Sequence, residues 1–390
     1  MSLSQMNEIL KKAVEDGEIA GGNFLCLKDG IQQSYFEYGY ADKENGVPIR
    51  KDTIFRLYSM SKPVTSAAVM LLVERGLIDL LDPVEQYLDG FKDQKYYEGT
   101  TLKDVKRKMT IKDLLFMTAG LSYPSENSLT EKETGKLFDK LIDGLEEGSP
   151  YENLGTVEAM NELGKIPLMF SPGDKWLYSS CADVLGAIVE VVTKMPFSEF
   201  LQKNIFTPLG MKDTGFYVPA EKQERLASTY EVTDNGLEKY EGHNLGIQNR
   251  MLRKPSFESG GAGLASTIED YGRFATMLLN KGVYNDRRIL SEKTVEYMTT
   301  SHLNPKQEQV FELCEDLAGY SYGNLMRILT KPELCHHLGT KGEYGWDGWL
   351  GAFFVNSPKD NLTFLFMYQK TNSGTTALTR KLLNAFRATF

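Results

Sequence analysis

Apolar positions along the chain recur with two different periods, and the changes between them outline the elements. Leu3, Met6, Ile9, Leu10 and Val14 fall on one face of a 3.6-residue repeat, which predicts an amphipathic helix over residues 3–15, ended by Gly21-Gly22. Phe24-Leu25-Cys26-Leu27 and the run from Ile31 to Tyr40 flank Asp29-Gly30, a dipeptide suited to a tight primed turn, and predict a β-hairpin. The stretch from Val64 to Val73 is apolar or small on every side. Val64, Ala67, Ala68, Leu71 and Leu72 form one helical stripe, while Val69, Met70 and Val73 fill the opposite face. A helix apolar all round is buried. Pro63 fits only the first turn and Gly76 is a good stop, so this helix begins close to Ser59.

Beyond a turn at Asp82-Pro83 the pattern predicts a long, mostly helical and charged stretch. Within it, Thr110 caps a short helix reaching Met117, with Asp113 in its first turn and a stop at Ala119-Gly120. Residues 129–146 and 156–164 read as solvent-facing helices, Ser171-Pro172-Gly173-Asp174 as a turn, and Cys181 to Val192 as a second strongly apolar helix. Pro208-Leu209-Gly210-Met211 closes this part. Ser259-Gly260-Gly261-Ala262-Gly263 reads as a flexible crossing, followed by helices at Thr267–Leu279 and 291–299. Tyr344 to Val355 and Leu362 to Tyr368 read as strands joined by the Pro358-Lys359-Asp360-Asn361 turn, and Thr375 to Phe390 as a closing helix. Strands at both chain ends with helices between them are the signature of an α+β fold. The expected division is an α/β subdomain from 1–80 and 260–390, with a mainly helical insertion at 81–259.

Composition changes this picture little. The 390 residues are 41% hydrophobic and 25% charged, with net charge -9 and both signs interspersed. Nothing marks a nucleic-acid surface. No run is apolar and long enough to span a membrane. Met1-Ser2-Leu3-Ser4-Gln5 shows no secretory pattern, so the expected location is the cytoplasm. The cysteines, Cys26, Cys181, Cys314 and Cys335, form no C-x-x-C pair and read as thiols of a reducing compartment. His243, His302, His336 and His337 lie in no metal-ligand pattern; neither a metal nor another cofactor is expected. The sequence does not set the oligomeric state.

Candidate chemistry enters at the head of the buried helix. Ser59 and Lys62 stand one turn apart on the same side. A buried lysine loses hydration of its charged form, which lowers its pKa. A neutral amine beside a serine hydroxyl can take the hydroxyl proton, making Ser59 the candidate nucleophile and Lys62 its activator. The other reading of the pair is an N-cap serine followed by a surface lysine at a helix start. No G-x-S-x-G elbow occurs, which argues against the α/β-hydrolase route.

The ordered motif set resembles the serine β-lactamase and penicillin-binding-protein-like family, above all its class C-related esterases and acyltransferases. The resemblance runs through Phe55 to Lys62, Thr110 to Leu115, Pro172 to Ser180, Gly260 to Thr267 and Tyr344 to Pro358. It implies a β-lactamase/transpeptidase-like fold, an antiparallel sheet built from both chain ends and flanked by helices, and acyl-enzyme chemistry on a small ester, amide or β-lactam. Tyr178 matches the family's catalytic tyrosine, although Tyr151-Glu152-Asn153 and Tyr322-Gly323-Asn324 are the exact Tyr-x-Asn triplets. Asp183, on the following helix, either orients this loop or lies at the surface. The family's Lys-Thr-Gly is absent, and Gly345-Trp346-Asp347-Gly348 stands in its place, with Thr340-Lys341-Gly342 outside the expected strand. The resemblance assigns oxyanion-hole N–H groups to Ser59 and Trp349 and substrate contacts to Trp346, Asp347, Gly348 and Trp349. Trp346, Trp349, Phe353 and Phe354 either wall an acyl pocket or alternate into the core. Without Lys-Thr-Gly, neutral esters or acyl groups are favoured over β-lactams. The alternatives are a β-lactamase, a D-amino-acid peptidase or penicillin-binding protein, and a silent ligand-binding homologue.

Overall fold

A computed structural model describes residues 3–314 and 317–390. Residues 1 and 2 and the Leu3 side chain, which the sequence pattern placed at the start of the first apolar face, lie outside the described residues. Helix α1 (Leu3–Glu15) buries Met6, Leu10 and Ala13. Strands β1 (Gly21–Lys28) and β2 (Ile31–Asp42) form the expected hairpin. Asp29 and Gly30 both take positive φ, as a primed turn requires. Gly21 and Gly22 do not end the preceding region but belong to β1. A side chain at Gly21 would meet the Tyr40 backbone at 2.4 Å, so the glycine permits close strand approach.

Both chain ends build one antiparallel sheet. After β3 (Val47–Pro48) and the two-residue β4 (Phe55–Arg56), the next strand named here is β5 (Ala265–Ser266), which pairs with β4. The C-terminal part supplies β6 (Tyr320–Tyr322), β7 (Arg327–Leu329), β8 (Tyr344–Asp347), β9 (Phe353–Ser357) and β10 (Leu362–Tyr368). The sheet order is β6-β7-β8-β9-β10-β1-β2-β3. Strand side chains alternate between two cores. Phe24, Cys26, Phe364 and Phe366 face α1 and the closing helix Ala377–Arg387, while Leu25, Leu27, Leu365 and Met367 join the larger core opposite. This is the β-lactamase/transpeptidase-like fold.

The buried helix forms as its pattern dictates. A 3-10 turn at Tyr58–Met60 leads into α2 (Ser61–Glu74), whose residues Ser61 to Leu72 are all buried. Gly76 at φ 65° ends it in a Schellman arrangement: its N–H reaches the Val73 carbonyl, and the Leu77 N–H reaches that of Leu72. Thr110 and Asp113 form a capping box on α3 (Ile111–Leu115). Helices α4 (Leu129–Asp143), α5 (Thr156–Gly164) and α6 (Cys181–Thr193) follow, and α7 (Ile268–Leu279) packs on the sheet, capped by Thr267.

Four more expectations need correction. The stretch after Asp82 is not mainly helical up to Thr110; short 3-10 turns and a hairpin of Lys95–Glu98 with Thr101–Asp104 occupy it. Helices α4 and α5 are amphipathic rather than solvent-facing, burying Leu137, Phe138 and Leu141 on one and Ala159, Met160 and Leu163 on the other. Tyr344 to Val355 is two strands, β8 and β9, because the chain turns back at Gly348–Ala352, where Gly351 takes φ 100°. Finally, Ser259–Gly263 is packed rather than flexible, all five residues being buried.

Candidate active site

Ser59 sits on a backbone held from several directions. Leu57 N–H bonds to the Leu264 carbonyl, the Tyr271 hydroxyl of α7 donates to the Met60 carbonyl at 2.9 Å, and the Leu264 N–H donates to Ser61 Oγ at 3.1 Å. Tyr58, immediately before the serine, takes φ 44°. A bulky residue in that region stores about 1–3 kcal/mol and persists only where its surroundings over-determine it. Here the Tyr58 ring packs at 5.0 Å on Trp349 and is enclosed by Ile247, Ala262 and Leu350. The sharp turn leaves Ser59 half-buried just ahead of a helix that is buried from Ser61 to Leu72.

Lys62 is fully buried. Its Nζ lies 3.1 Å from Ser59 Oγ, 2.9 Å from the Tyr123 hydroxyl and 2.9 Å from the Gly261 carbonyl. No carboxylate stands within ion-pair distance among the described residues. Burial lowers the amine to about 7, partly opposed by Asp183, Cys181 and Asp347 at longer range. The three partners match the two protonation states. An ammonium donates to all three; a neutral amine keeps Tyr123 and Gly261 and turns its lone pair toward the serine hydroxyl.

Tyr178 enters from the loop before α6. Its ring lies 4.7 Å from the Lys62 amine, and its hydroxyl accepts the Trp346 indole N–H at 3.0 Å. Burial raises its pKa, partly opposed by hydrogen bonds from Ser59 and Trp346. The alternative tyrosines stand elsewhere. Tyr322 is buried against Trp176 and Trp346, its hydroxyl without a protein partner among the described residues, and Tyr151 packs near Lys140. Sequence reasoning missed Tyr123, the phenol bonded directly to Lys62, whose own pKa burial pushes far up. It lies in a Leu121-Ser122-Tyr123-Pro124 loop with no motif; the only signal was its nearness to the Ala119-Gly120 stop.

The β8–β9 turn closes the other side. A side-chain carbon on Gly348 would fall 2.1 Å from the Leu57 carbonyl oxygen and 3.7 Å from the Ser59 nitrogen. Only glycine lets this turn lie against the serine backbone. The next N–H, that of Trp349, has no protein acceptor among the described residues. The Trp349 indole donates to Asn372 Oδ1 at 2.9 Å, and its ring meets Tyr240 at 5.7 Å. Trp346 is buried, Phe353 and Phe354 point into the two cores, and Thr340-Lys341-Gly342 forms the turn before β8. The Asp347 carboxylate engages Arg327 of β7 at 2.6 Å and the Thr375 hydroxyl. Tyr123, Tyr178, Leu245 and Trp349 are half-buried against the adjoining cores, and all four are aromatic or apolar.

Asp183, left open by the sequence, is buried and accepts hydrogen bonds from Ser259 and Gly261. Among the described residues no group of three or more His, Cys, Asp or Glu side chains could hold a metal, no disulfide joins the cysteines, and no helix is long and apolar enough to cross a membrane.

Comparison with known proteins matches this architecture. A family model described as Beta-lactamase matches residues 6–388. Protein Rv1367c of Mycobacterium tuberculosis is 32% identical over 378 residues, covering 95% of this chain and 90% of its own. Esterase EstB of Burkholderia gladioli is 32% identical over 279 residues, covering 68% and 67%. The solved structure of EstCE1, a hydrolase with promiscuous acyltransferase activity, superposes with a TM-score of 0.82 at 25% identity, covering 99% of this chain and 97% of that one.

Proposed function

The chain belongs to the Beta-lactamase family of serine hydrolases, with esterase and acyltransferase relatives, and from that premise we propose that it cleaves carboxylic esters through an acyl-enzyme on Ser59. The observation that carries this reading is the buried Lys62 amine, 3.1 Å from Ser59 Oγ and lowered to about 7. An amine with that pKa is divided between base and acid near neutrality, where general acid–base catalysis is most effective.

Ser59 Oγ attacks the ester carbonyl while its proton passes to Lys62. The N–H groups of Ser59 and Trp349 hold the developing oxyanion. Tyr178 gives its proton to the departing alkoxide and regains one from the Lys62 ammonium. Water then attacks the acyl-enzyme, losing its proton along the same route in reverse; an alcohol in place of water gives acyl transfer. The parts come together from all three expected segments: Ser59 and Lys62 from 1–80, Tyr123 and Tyr178 from 81–259, Gly261 and the β8–β9 turn from 260–390. The substrate is a small molecule. Trp346, Gly348 and Trp349 line its carbonyl end, while Asp347 acts on it only through the strand it anchors.

Neutral esters are preferred to β-lactams because no lysine stands where Lys-Thr-Gly would grip a carboxylate, and the Asp347 charge is already engaged by Arg327. Ser59→Ala should reduce hydrolysis of p-nitrophenyl butyrate by ~10³-fold or more. Nitrocefin turnover by the wild type should fall well below ester turnover. Undiminished ester hydrolysis in the alanine variant contradicts the assignment, and faster nitrocefin turnover would favour the β-lactamase reading.

A further inference from the structure

The reaction scheme leaves unused the enclosed carboxylate whose charge bears most on Lys62. Asp183 of α6 is buried beneath Lys62, and its Oδ1 accepts the Ser259 hydroxyl at 2.5 Å and the Gly261 N–H at 3.0 Å. The Ser259 oxygen in turn accepts the Ala262 N–H at 2.9 Å, and the Thr65 hydroxyl of α2 donates to the Gly260 carbonyl at 2.6 Å. The two glycines have no spare room. A side-chain carbon at Gly260 would lie 2.3 Å from the Ala182 carbonyl oxygen, and one at Gly261 would lie 2.9 Å from Asp183 Oδ2 and 3.1 Å from the Tyr123 oxygen. Residue 261 is therefore gripped at its N–H by Asp183 while its carbonyl holds the Lys62 amine at 2.9 Å.

We propose that Asp183 is a positioning residue for Lys62: it fixes the Gly261 carbonyl against the amine through Ser259 and the 261 N–H, and it is the buried counter-charge of the protonated amine. This rests on the reading of Lys62 as the base for Ser59. Burial raises the Asp183 carboxyl above its ordinary pKa, and the Ser259 hydroxyl, the Lys62 charge and the Gly261 N–H oppose that rise by favouring the ionised form. The groups facing Lys62 are Ser59, Tyr123, Tyr178 and the Gly261 carbonyl, with Asp183 and Cys181 from α6 and Asp347 from β8 further off. Asp183 ranks first among those that hold the proton on the amine. Removing its charge lets the amine lose its proton at lower pH.

The test compares wild type, Asp183→Asn and Ser259→Ala from pH 5 to 9, by the rate of Ser59 labelling with a fluorophosphonate and by kcat/KM for p-nitrophenyl butyrate. Asparagine keeps an oxygen for both donors and drops the charge. Its acid limb should move down by roughly half to one pH unit, with the plateau within about tenfold of wild type. Ser259→Ala keeps the charge and loosens the segment, so its plateau should fall by about tenfold with the limb in place. A superimposable Asp183→Asn profile, or a Ser259→Ala profile identical to wild type, overturns the proposal. If a melting curve shows the asparagine variant unfolded, the Ser259→Ala profile decides alone. Ser59→Ala run in parallel separates the two readings: labelling that persists there removes the nucleophile itself, whereas a blank with unshifted variants removes only Asp183.

Discussion

Replacing Lys62 by methionine should change the stability of the protein in a pH-dependent way while abolishing turnover. The amine drops from 10.5 in the unfolded chain to about 7 when buried. That difference corresponds to ~5 kcal/mol of opposition to folding when the amine is charged in both states. The sign follows from proton counts. Between pH 7 and 10.5 the unfolded chain holds the proton more often than the folded one, so wild-type stability rises with pH. The opposition is therefore complete below pH 7 and gone above pH 10.5. Methionine has no titrating group, and its chain nearly fills the same space. It leaves the Gly261 carbonyl and the Tyr123 hydroxyl without their donor, which removes about 1–3 kcal/mol per orphaned group at every pH. Together the two groups offset roughly 2–6 kcal/mol, comparable to the relief at pH 7, so the slope and not the absolute difference carries the test. Urea denaturation of both proteins at pH 6.5, 7.5, 8.5 and 9.5 should show the stability of Lys62→Met relative to wild type falling by about 1.4 kcal/mol per pH unit above pH 7. A difference that stays flat across this range would refute a depressed amine, and with it the proposed base.

Two further substitutions separate neighbouring roles. Tyr178→Phe should lower kcat by about 10²–10⁴-fold, as for a lost proton shuttle, whereas Tyr123→Phe, which removes only a partner of Lys62, should act mainly on the pH profile; steady-state kinetics on a p-nitrophenyl ester distinguish them. Gly348→Ala should lower kcat by about 10²–10³-fold with circular dichroism preserved, because the added carbon meets the Leu57 carbonyl and pushes the Trp349 N–H from its place.

Much of this was legible in the residues. The all-round apolar run of α2, the Asp29-Gly30 turn and the Thr110–Asp113 box are local signals, and local signals survived folding. The misreadings share a cause, which is tertiary contact. Gly348-Trp349-Leu350-Gly351-Ala352 is apolar enough to pass for strand, and only the close approach of Gly348 to Leu57 and of Gly351 to the Tyr368 ring explains why the chain turns there. The glycines at 260 and 261 read as freedom, yet they are small because Ala182 and Asp183 lie against them. Strands β6 and β7 have three residues each, too short to show a period, and although Gly323-Asn324 marks their turn, the reversal also puts Leu325 at φ 57°. Tyr123 could not be found from periodicity, since its part in the site comes from a contact with a residue 61 positions away.

The most direct measurement is intact mass followed by peptide mapping after brief exposure to a slowly released p-nitrophenyl ester. The account predicts one added acyl group, located on the peptide bearing Ser59 and lost on standing. An adduct on any other residue, or turnover of the ester with no adduct under rapid acid quench, would contradict it.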